Sequence, residues 1–291
     1  MYHTLCCGGD NMNIGFVGAG KVGFSLGKYF CNNDIKVSGY YSHNLESSKE
    51  AAKFTRSKFY VNLNDLIKES DIIFITTPDS IISSVWGMID KSAIKNKILC
   101  HCSGSLSSKV FSNIENYNAY GYSIHPLFAF SDKYKSHEFL KEAFITIEGS
   151  EIKIDKIVSL IKKLGNDFKV ISDKDKARYH LSSAIVCNHV LALIDEGINQ
   201  LMRCGFNDDE ARKALYPLVI NNINSIFSKG SIKSLTGAVE RADEITLSKH
   251  LECLDEEDKC LYKMLSKKLI KIAEKKNEDR DYKSIKVMMG E

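Results

Sequence analysis

Residues 13–23 read NIGFVGAGKVG, a short apolar run followed by a glycine-rich turn that opens a helical pattern. The turn matches G-x-G-x-x-G through Gly18, Gly20 and Gly23. The first glycine of such a turn permits a tight bend, the second lets the backbone approach a pyrophosphate, and the third allows close packing of helix on strand. The free N–H groups of the helix add partial positive charge. The stretch therefore predicts a dinucleotide site formed by residues Gly18, Ala19, Gly20, Lys21, Val22 and Gly23.

Short apolar runs alternate with helical patterns from this turn to residue 172. The predicted strands lie at 13–18, 35–41, 71–78 and 97–104, with further candidates at 120–126, 143–149 and 167–172. The predicted helices lie at 21–32, 44–56, 80–91 and 152–164. This alternation indicates right-handed βαβ units and a parallel sheet. We expect the strand at 167–172 to close the sheet.

The pattern becomes purely helical after residue 172. Helical periodicity covers 173–204, 208–229, about 236–253 and 256–275. The first of these helices would be about 48 Å long at 1.5 Å per residue, which suits the spine of a domain that packs against a second copy. Pro217 predicts a kink or a break in the second helix. The charged segment EKKNEDRDYKS (274–284) is expected to be solvated and mobile.

The predicted fold class is therefore α/β, with a Rossmann-type parallel sheet domain followed by an all-α dimerisation domain. The predicted boundaries are 1–11 for a disordered N-terminal extension, 12–172 for the nucleotide-binding domain and 173–291 for the helical substrate and dimerisation domain. A homodimer through the C-terminal helices is expected.

Composition narrows the class of partner. The chain has 291 residues, 44% of them hydrophobic, and a formal net charge of +3, so no global field favours nucleic acid or an anionic membrane. The nine cysteines show no paired C-x-x-C spacing, which favours reduced thiols in the cytoplasm and gives no sign of a metal site. We find no apolar run of the ~18 to 20 residues that a membrane span requires, and expect no membrane partner.

The end of the second predicted strand favours NADP over NAD. An NAD site places a carboxylate there to hold the ribose 2′-hydroxyl, whereas this chain has Ser42, His43 and Asn44. Serine and asparagine can donate hydrogen bonds to a 2′-phosphate, and histidine can add charge. Thr77 and Pro78 follow the third strand, where a second cofactor contact is expected, although a simple turn capped by Asp79 fits equally well.

Candidate substrate residues follow the next two strands. Ser103 and Gly104 can offer a hydroxyl and backbone donors to a carboxylate or carbonyl, while Ser105 fits a helix cap. His125 stands before Pro126 at the same predicted edge of the sheet, and is a candidate proton donor. A structural role is an open alternative for this histidine and for His101.

The long helical stretch carries polar residues on an apolar background. Within RYHLSSAIVCNH (178–189), His180 and Asn188 are eight residues apart, so a regular α-helix would project both from one side with Ala184 between them. Buried polar groups need a partner or a chemical task. We expect His180 to donate or relay a proton and Asn188 to orient a substrate oxygen, as hydride transfer to a carbonyl requires.

A third group of polar residues lies within SLTGAVERADEITLSKHL (234–251). Arg241 can pair with a substrate carboxylate by its bidentate geometry, and Asp243 and Thr246 stand near it in sequence. An ion pair of Arg241 with Asp243 or Glu244 is an equally good explanation. The predicted ligand is a small carboxylate.

From Asn13 to about Leu254 the chain resembles bacterial proteins in which a Rossmann-like domain precedes the domain of unknown function 2520, within the 6-phosphogluconate-dehydrogenase-like and pyrroline-5-carboxylate-reductase-like group. The matching segments are GFVGAGKVG, TTPDSII, HCSGSL, HPLFAF, YHLSSAIVCNHVLAL, LYPLV and LTGAVERADEIT. The resemblance implies NADP-linked reduction and a dimeric helical domain. It makes a 2-keto acid the expected substrate, with 2-dehydropantoate the first candidate.

The chain departs from its relatives at three positions. Ala184 stands where β-hydroxyacid dehydrogenases and ketopantoate reductases carry a lysine, so the resemblance leaves His180 or His125 as proton donor. Ala238 and Ala242 replace a proline and a glycine of the family motif, near Arg241 and Asp243. An imine or prephenate-type dehydrogenase, and a non-catalytic NADP(H)-binding regulator, stay open as alternatives.

Overall fold

The computed structural model describes residues 12–291, so the predicted extension at 1–11 lies outside the described residues. The chain folds into two compact units, with the boundary between His189 and Val190. This boundary falls inside the long helical stretch, whereas the sequence pattern changes at residue 172. Each unit has its own buried core.

The first unit is built on one eight-stranded sheet with the order β3-β2-β1-β4-β5-β6-β7-β8. The strands are β1 Ile14–Val17, β2 Val37–Tyr41, β3 Lys58–Tyr60, β4 Ile72–Ile75, β5 Ile98–His101, β6 Tyr120–Leu127, β7 Phe144–Gly149 and β8 Phe168–Val170. Neighbouring strands are parallel except β6 and β7, which pair antiparallel. The predicted Rossmann-type α/β fold is confirmed, with β8 at the edge as expected, although the sheet is not wholly parallel.

Helices cover the sheet and follow the predicted alternation. They are α1 Lys21–Asn32, α2 Leu45–Thr55, α3 Leu63–Glu69, α4 Asp79–Met88, α5 Ser136–Phe139 and α6 Ile154–Leu164. β3 and α3 are not among the elements predicted from the sequence. Both are short, and two of the three residues of β3 are exposed at the sheet edge, so neither produces a clear period.

Two apolar clusters form the core of the first unit. One contains aromatic rings in stacked, tilted and edge-to-face contact, contributed by β1, α1, β2 and β4: Phe16, Phe30, Tyr40 and Phe74. The other includes Ile75 of β4, with residues of α3 and α4. Because β1 and β4 are buried along their whole length, the strand ends that carry the candidate ligand residues are held rigidly.

The stretch predicted as one helix over 173–204 is interrupted. It contains a 3₁₀ turn at Asp173–Asp175, α7 Lys176–Ala184, a π-helical turn Ile185–His189 and α8 Val190–Arg203. A π-turn has wider spacing than the α-helix, and such turns are frequent at functional sites. The expectation that His180 and Asn188 share one side of a regular α-helix is therefore wrong, because Asn188 lies within this π-turn.

The second unit is helical throughout. After α8 it contains α9 Asp208–Lys229, α10 Ser231–Ser234, α11 Ala238–Arg241, α12 Glu244–Glu252, α13 Glu256–Lys276 and α14 Lys283–Met288. α9 continues through Pro217, so of the predicted kink or break the break is absent. The helix expected over 236–253 is two helices, because Ala242 adopts a left-handed conformation (φ 55°) and Asp243 caps α12.

The C-terminal segment is folded, which corrects the prediction of a mobile tail. Tyr282, Ile285 and Met289 are each at most 3% exposed and belong to the core of the second unit. The Tyr282 hydroxyl donates to the carbonyl oxygen of Glu240 at 2.7 Å. The charged residues of this segment favour a solvated tail in the sequence, whereas the apolar residues among and after them are buried in the fold.

One helical stretch qualifies as a candidate membrane span, although the sequence contains no uninterrupted apolar run of that length. Asp173–Arg203 is long and apolar enough to cross a membrane by length and composition, with an 18-residue window of mean hydropathy 1.3 that is not buried in the described chain. Length and composition do not distinguish a membrane span from an apolar face that packs against protein, and a single such helix is a weak indication of a span.

Candidate functional site

The glycine turn has the geometry that a bound pyrophosphate requires. Gly18 has φ +106°, which favours glycine, and Gly23 is packed so closely that a Cβ there would lie 2.3 Å from Thr76 Oγ1. A Cβ on Gly20 would meet nothing within 4 Å, so the backbone faces open space. Gly20 precedes α1 and makes no side-chain cap hydrogen bond, which leaves the first N–H groups of the helix available to an anion.

The end of β4 lies beside this turn. The Thr76 hydroxyl donates to the carbonyl oxygen of Gly18 at 3.0 Å and so joins the two strand ends. The next hydroxyl, Thr77 Oγ1, is buried and has no hydrogen-bond partner among residues 12–291. A buried polar atom without a partner is costly, so this hydroxyl fits a ligand contact. Together with the open face of Gly20 it indicates that these residues fit a dinucleotide.

The end of β2 presents the residues predicted to read the adenosine ribose. Ser42 is half-buried and His43 is exposed. The Asn44 side chain caps α2 by accepting hydrogen bonds from the N–H groups of Glu46 and Ser47, at 3.0 and 3.3 Å. The side-chain oxygen of Asn44 thus already accepts two hydrogen bonds, and its side-chain nitrogen is the atom that can donate to a ligand.

Two histidines meet over Gly104 in the loop after β5. A Cβ on Gly104 would lie 2.9 Å from Cδ2 of His180 and 3.0 Å from Nε2 of His125. The first ring comes from α7 and the second from β6. The fold therefore joins three of the predicted site residues at one point, and glycine is required there because any side chain would displace a ring.

Two further residues of α7 make hydrogen bonds to this cluster. Tyr179 Oη lies 2.6 Å from His125 Nδ1. The Lys176 ammonium group is buried and donates to the Ser103 carbonyl oxygen at 2.9 Å and to Ser123 Oγ at 2.7 Å. Lysine is almost never buried without partners, so these bonds fix the loop that carries Gly104.

The hydroxyl groups of the loop are used within it. Ser103 Oγ donates to Asp79 Oδ2 at 2.6 Å and accepts from the N–H groups of Ser105 and Leu106. Ser105 Oγ also donates to Asp79, at 3.0 Å. Pro78, not Asp79, occupies the N-cap position of α4. The Asp79 carboxylate therefore organises the loop rather than capping the helix, and the Ser103 hydroxyl proton is not free for a substrate.

His101 has the structural role that the sequence left open. It is fully buried, Nδ1 accepts from the N–H of Ser103 at 3.2 Å, and Nε2 lies 3.2 Å from the carbonyl oxygen of Ser107. Because the carbonyl can only accept, the proton of the neutral ring is on Nε2. Both ring nitrogens thus bind backbone, and His101 fixes the loop.

Burial controls protonation in the cluster. Desolvation, with smaller effects from Lys176 and His180, lowers the pKa of His125 to about 4. Desolvation likewise lowers the pKa of Lys176 to about 8, and the carboxylates of Glu148 and Asp79 partly oppose it. At neutral pH His125 is therefore uncharged, whereas the nearby Lys176 is largely charged.

The other predicted residues are placed as follows. Asn188 is exposed in the π-turn of the first unit. In the second unit Arg241 lies 3.9 Å from the Asp243 carboxylate, which accepts from Thr246 N and Thr246 Oγ1 at 3.1 and 2.7 Å. Asp243 and Thr246 thus form an N-cap, and Arg241 is in a long ion pair, as the alternative explanation of this motif expects. A substrate role for these three stays a prediction.

Lys176 and Tyr179 are functional-site residues that were not predicted from the sequence. Both lie in SDKDKARYH (172–180), the charged start of the helix predicted over 173–204. Their spacing of three residues, followed by Ser183, places all three on one face of α7, and Ser183 Oγ is also buried without a partner among the described residues. This shared face could have been recognised in the sequence. However, the charged residues around it give no indication that the helix packs on a sheet.

The fold and the glycine turn define a doubly wound nucleotide-binding protein with a helical second unit. Family models identify residues 8–126 as a Rossmann-like domain and residues 143–269 as the domain of unknown function DUF2520. The chain thus carries these two domains in the order that the sequence resemblance implies. No curated protein matches the chain.

Solved structures share this fold over most of their length. The protein TM1727 from Thermotoga maritima is 24% identical, with a TM-score of 0.74 over 91% of this chain and 99% of that one. Pyrroline carboxylate reductase from Plasmodium falciparum, with NADP bound, is 16% identical, with a TM-score of 0.59 over 92% and 98%. An imine reductase from Aspergillus terreus is 11% identical, with a TM-score of 0.63 over 95% and 99%.

Proposed function

We propose that the protein is an NADPH-dependent reductase of a small 2-keto acid, with 2-dehydropantoate as the first substrate to assay. The observation that carries this proposal is the meeting of the His125 and His180 rings over Gly104, in the same unit as the glycine turn. Similar folds in NADP-binding reductases support it. The proposed setting is a cytoplasmic homodimer.

The residues Gly18, Ala19, Gly20, Lys21, Val22 and Gly23 would hold the cofactor diphosphate at the start of α1. Ser42 and His43 would contact the 2′-phosphate, and Thr77 and Pro78 would line the cofactor at the end of β4. When bound, NADPH supplies the hydride, and the carbonyl oxygen then needs one proton to become an alcohol.

His180 is the better candidate for proton donor. It lies against Gly104 on the exposed side of α7, where its ring can exchange protons with solvent. His125 has a pKa of about 4, so its cationic form is scarce at neutral pH. We therefore propose that His180 donates the proton and that His125 orients the substrate. Asn188, in the same unit, is the proposed partner of a substrate oxygen.

The test is NADPH oxidation with a panel of 2-dehydropantoate, other 2-keto acids, pyrroline-5-carboxylate and prephenate. We expect turnover with a keto acid and a drop of about 10²- to 10⁴-fold in His180→Ala, the usual contribution of general acid catalysis. His189→Ala, an exposed histidine of the π-turn, is the matched control. Turnover only with an imine or prephenate favours the second enzyme class. Tight NADPH binding without any turnover favours a regulatory protein and overturns the proposal.

A further inference from the structure

The backbone N–H of Gly104 is a buried donor without an acceptor. Gly104 is buried, and its N–H makes no hydrogen bond within residues 12–291. The next two N–H groups of the loop, those of Ser105 and Leu106, both donate to Ser103 Oγ, at 3.2 and 3.0 Å. Buried backbone N–H groups in folded proteins are nearly always paired, so this one is available to a ligand.

Two buried side chains fix the carbonyl group of the same peptide bond. The Ser103 carbonyl oxygen accepts from the Lys176 ammonium group at 2.9 Å and from Ser123 Oγ at 3.1 Å. Lys176 also donates to Ser123 Oγ at 2.7 Å, and both residues are at most 2% exposed. Because the peptide bond is trans, the Gly104 N–H points opposite to this carbonyl group. Lys176 and Ser123 therefore set the direction of the Gly104 N–H, which is away from themselves.

The ring of His180 lies near this N–H group. A Cβ on Gly104 would lie 2.9 Å from Cδ2 of His180, so the Gly104 nitrogen is within about 5.5 Å of that ring atom. Nε2 of the ring is bonded to Cδ2 and can carry the proton that a general acid donates. A substrate oxygen placed between the two groups can therefore accept from both of them.

The two hydrogen bonds at the Ser103 carbonyl also polarise the peptide group. One of them comes from an ammonium group, and charge-assisted hydrogen bonds are the stronger kind. Hydrogen bonds in a chain polarise one another, so a carbonyl that accepts from a cation strengthens the N–H of its own peptide as a donor. The Gly104 N–H is thus a better donor than an ordinary amide, and it is already oriented before the substrate arrives.

We propose that Lys176 and Ser123 are positioning residues that orient the Ser103–Gly104 peptide, so that the Gly104 N–H donates to the reacting carbonyl oxygen of the substrate. As hydride reaches the carbonyl carbon, the electron pair of the C=O bond moves onto this oxygen, and His180 then supplies the proton. A fixed donor stabilises the negative charge that develops there. This inference rests on the proposed function for its reaction, but the direction of the N–H does not.

The contact can be measured without turnover. Glycine-selective ¹⁵N labelling of the full chain gives amide signals of the glycines alone, and the Gly104 signal is the one lost in Gly104→Ala. The probe is oxamate, an unreactive analogue of a 2-keto acid, added together with NADPH. We expect the Gly104 amide proton to move downfield as oxamate is added, because the N–H gains an acceptor. A Gly104 signal that stays unchanged at every oxamate concentration overturns the proposal.

Variants test the two positioning residues. Ser123→Ala removes one bond to the Ser103 carbonyl, and Lys176→Met removes the charged donor. We expect a smaller downfield shift with oxamate in both, and a kcat lower by about 10-fold in Ser123→Ala and about 10²-fold in Lys176→Met. KM should change little, since the charge on oxygen develops only in the transition state.

Lys174→Met is the matched control, because Lys174 is an exposed lysine of the same segment, and it should behave as the wild type. A wild-type oxamate shift and a wild-type kcat in Ser123→Ala would contradict the positioning role, and this small change keeps the test valid if Lys176→Met does not fold. A protein that shows the Gly104 shift with oxamate but turns over no keto acid would contradict the proposed function alone.

Discussion

At the scale of single residues, the cluster over Gly104 depends on groups whose roles differ from their appearance in the sequence. Ser103 looks like a substrate donor, but its hydroxyl is bound to Asp79. Lys176 looks like a surface charge, but it is buried beneath the loop. Sequence identifies His125 and His180 as candidates because histidine is rare and chemically versatile. It cannot identify their supports, since burial is decided by packing between distant segments.

The buried histidines predict loss of stability in acid. Burial holds the pKa of His101 at about 4, against 6.5 for a free imidazole, so the unfolded chain binds the proton more tightly. The contribution of this group is complete above pH 6.5 and is lost as the pH falls towards 4, with about 2 kcal/mol gone by pH 5. Urea unfolding followed by fluorescence of Trp86, the single tryptophan, reports this in the first unit.

Replacing His101 tests whether this group causes the loss of stability in acid. His101→Gln removes one buried imidazole, so its free energy of unfolding should fall less steeply between pH 7 and pH 5 than that of the wild type, whatever its value at pH 7. His43→Gln, which changes an exposed ring, should retain the wild-type slope. Equal slopes in wild type and His101→Gln would mean that His101 is not the titrating group.

At the scale of elements, the hydrophobic periodicity of the sequence predicts the regular helices. The predicted helices at 21–32 and 208–229 agree with α1 and α9 to the residue, because a glycine turn and a capping box at Asn207 mark their starts. The π-turn at 185–189 was missed, since one inserted residue leaves the composition of a helix unchanged. Helix α14 was missed because the charged residues that precede it dominate the segment.

Helix α14 is expected to stabilise the second unit. Ile285 is 1% exposed and contacts the core, so Ile285→Ala should lower the free energy of unfolding by about 2 to 4 kcal/mol. Val287 on the same helix is 72% exposed, and Val287→Ala should cost no more than about 0.5 kcal/mol. Calorimetry of the two variants makes the comparison, and equal melting temperatures would show that the segment is not packed as described.

At the scale of the whole molecule, a large apolar surface is left uncovered in the single chain. On the helices of the second unit, Leu191 is 69% exposed, Leu218 66% and Phe227 86%. Exposed apolar patches of this kind mark interaction surfaces. A homodimer through the C-terminal helices stays a prediction, and we expect its interface on this surface. The fold class, in contrast, is confirmed by the sheet order.

The dimer is expected to depend on these side chains. Leu191→Arg should convert a dimer into a monomer in sedimentation equilibrium at micromolar concentration, because a charge would be buried without a partner. Val61→Arg, at an equally exposed apolar position of the first unit (75%), should leave the dimer intact. A wild-type monomer, or a Leu191→Arg dimer of unchanged affinity, would exclude this surface as the interface.

The most direct test of the account is the rate of NADPH oxidation by Gly104→Ala, measured beside its affinity for NADPH. The added methyl group would lie 2.9 to 3.1 Å from atoms of His180 and His125, so it must displace at least one ring. The account predicts that turnover of the preferred substrate falls by about 10²-fold or more, while NADPH binds as tightly as to the wild type. Wild-type turnover in this variant would contradict the placement of the reaction over Gly104.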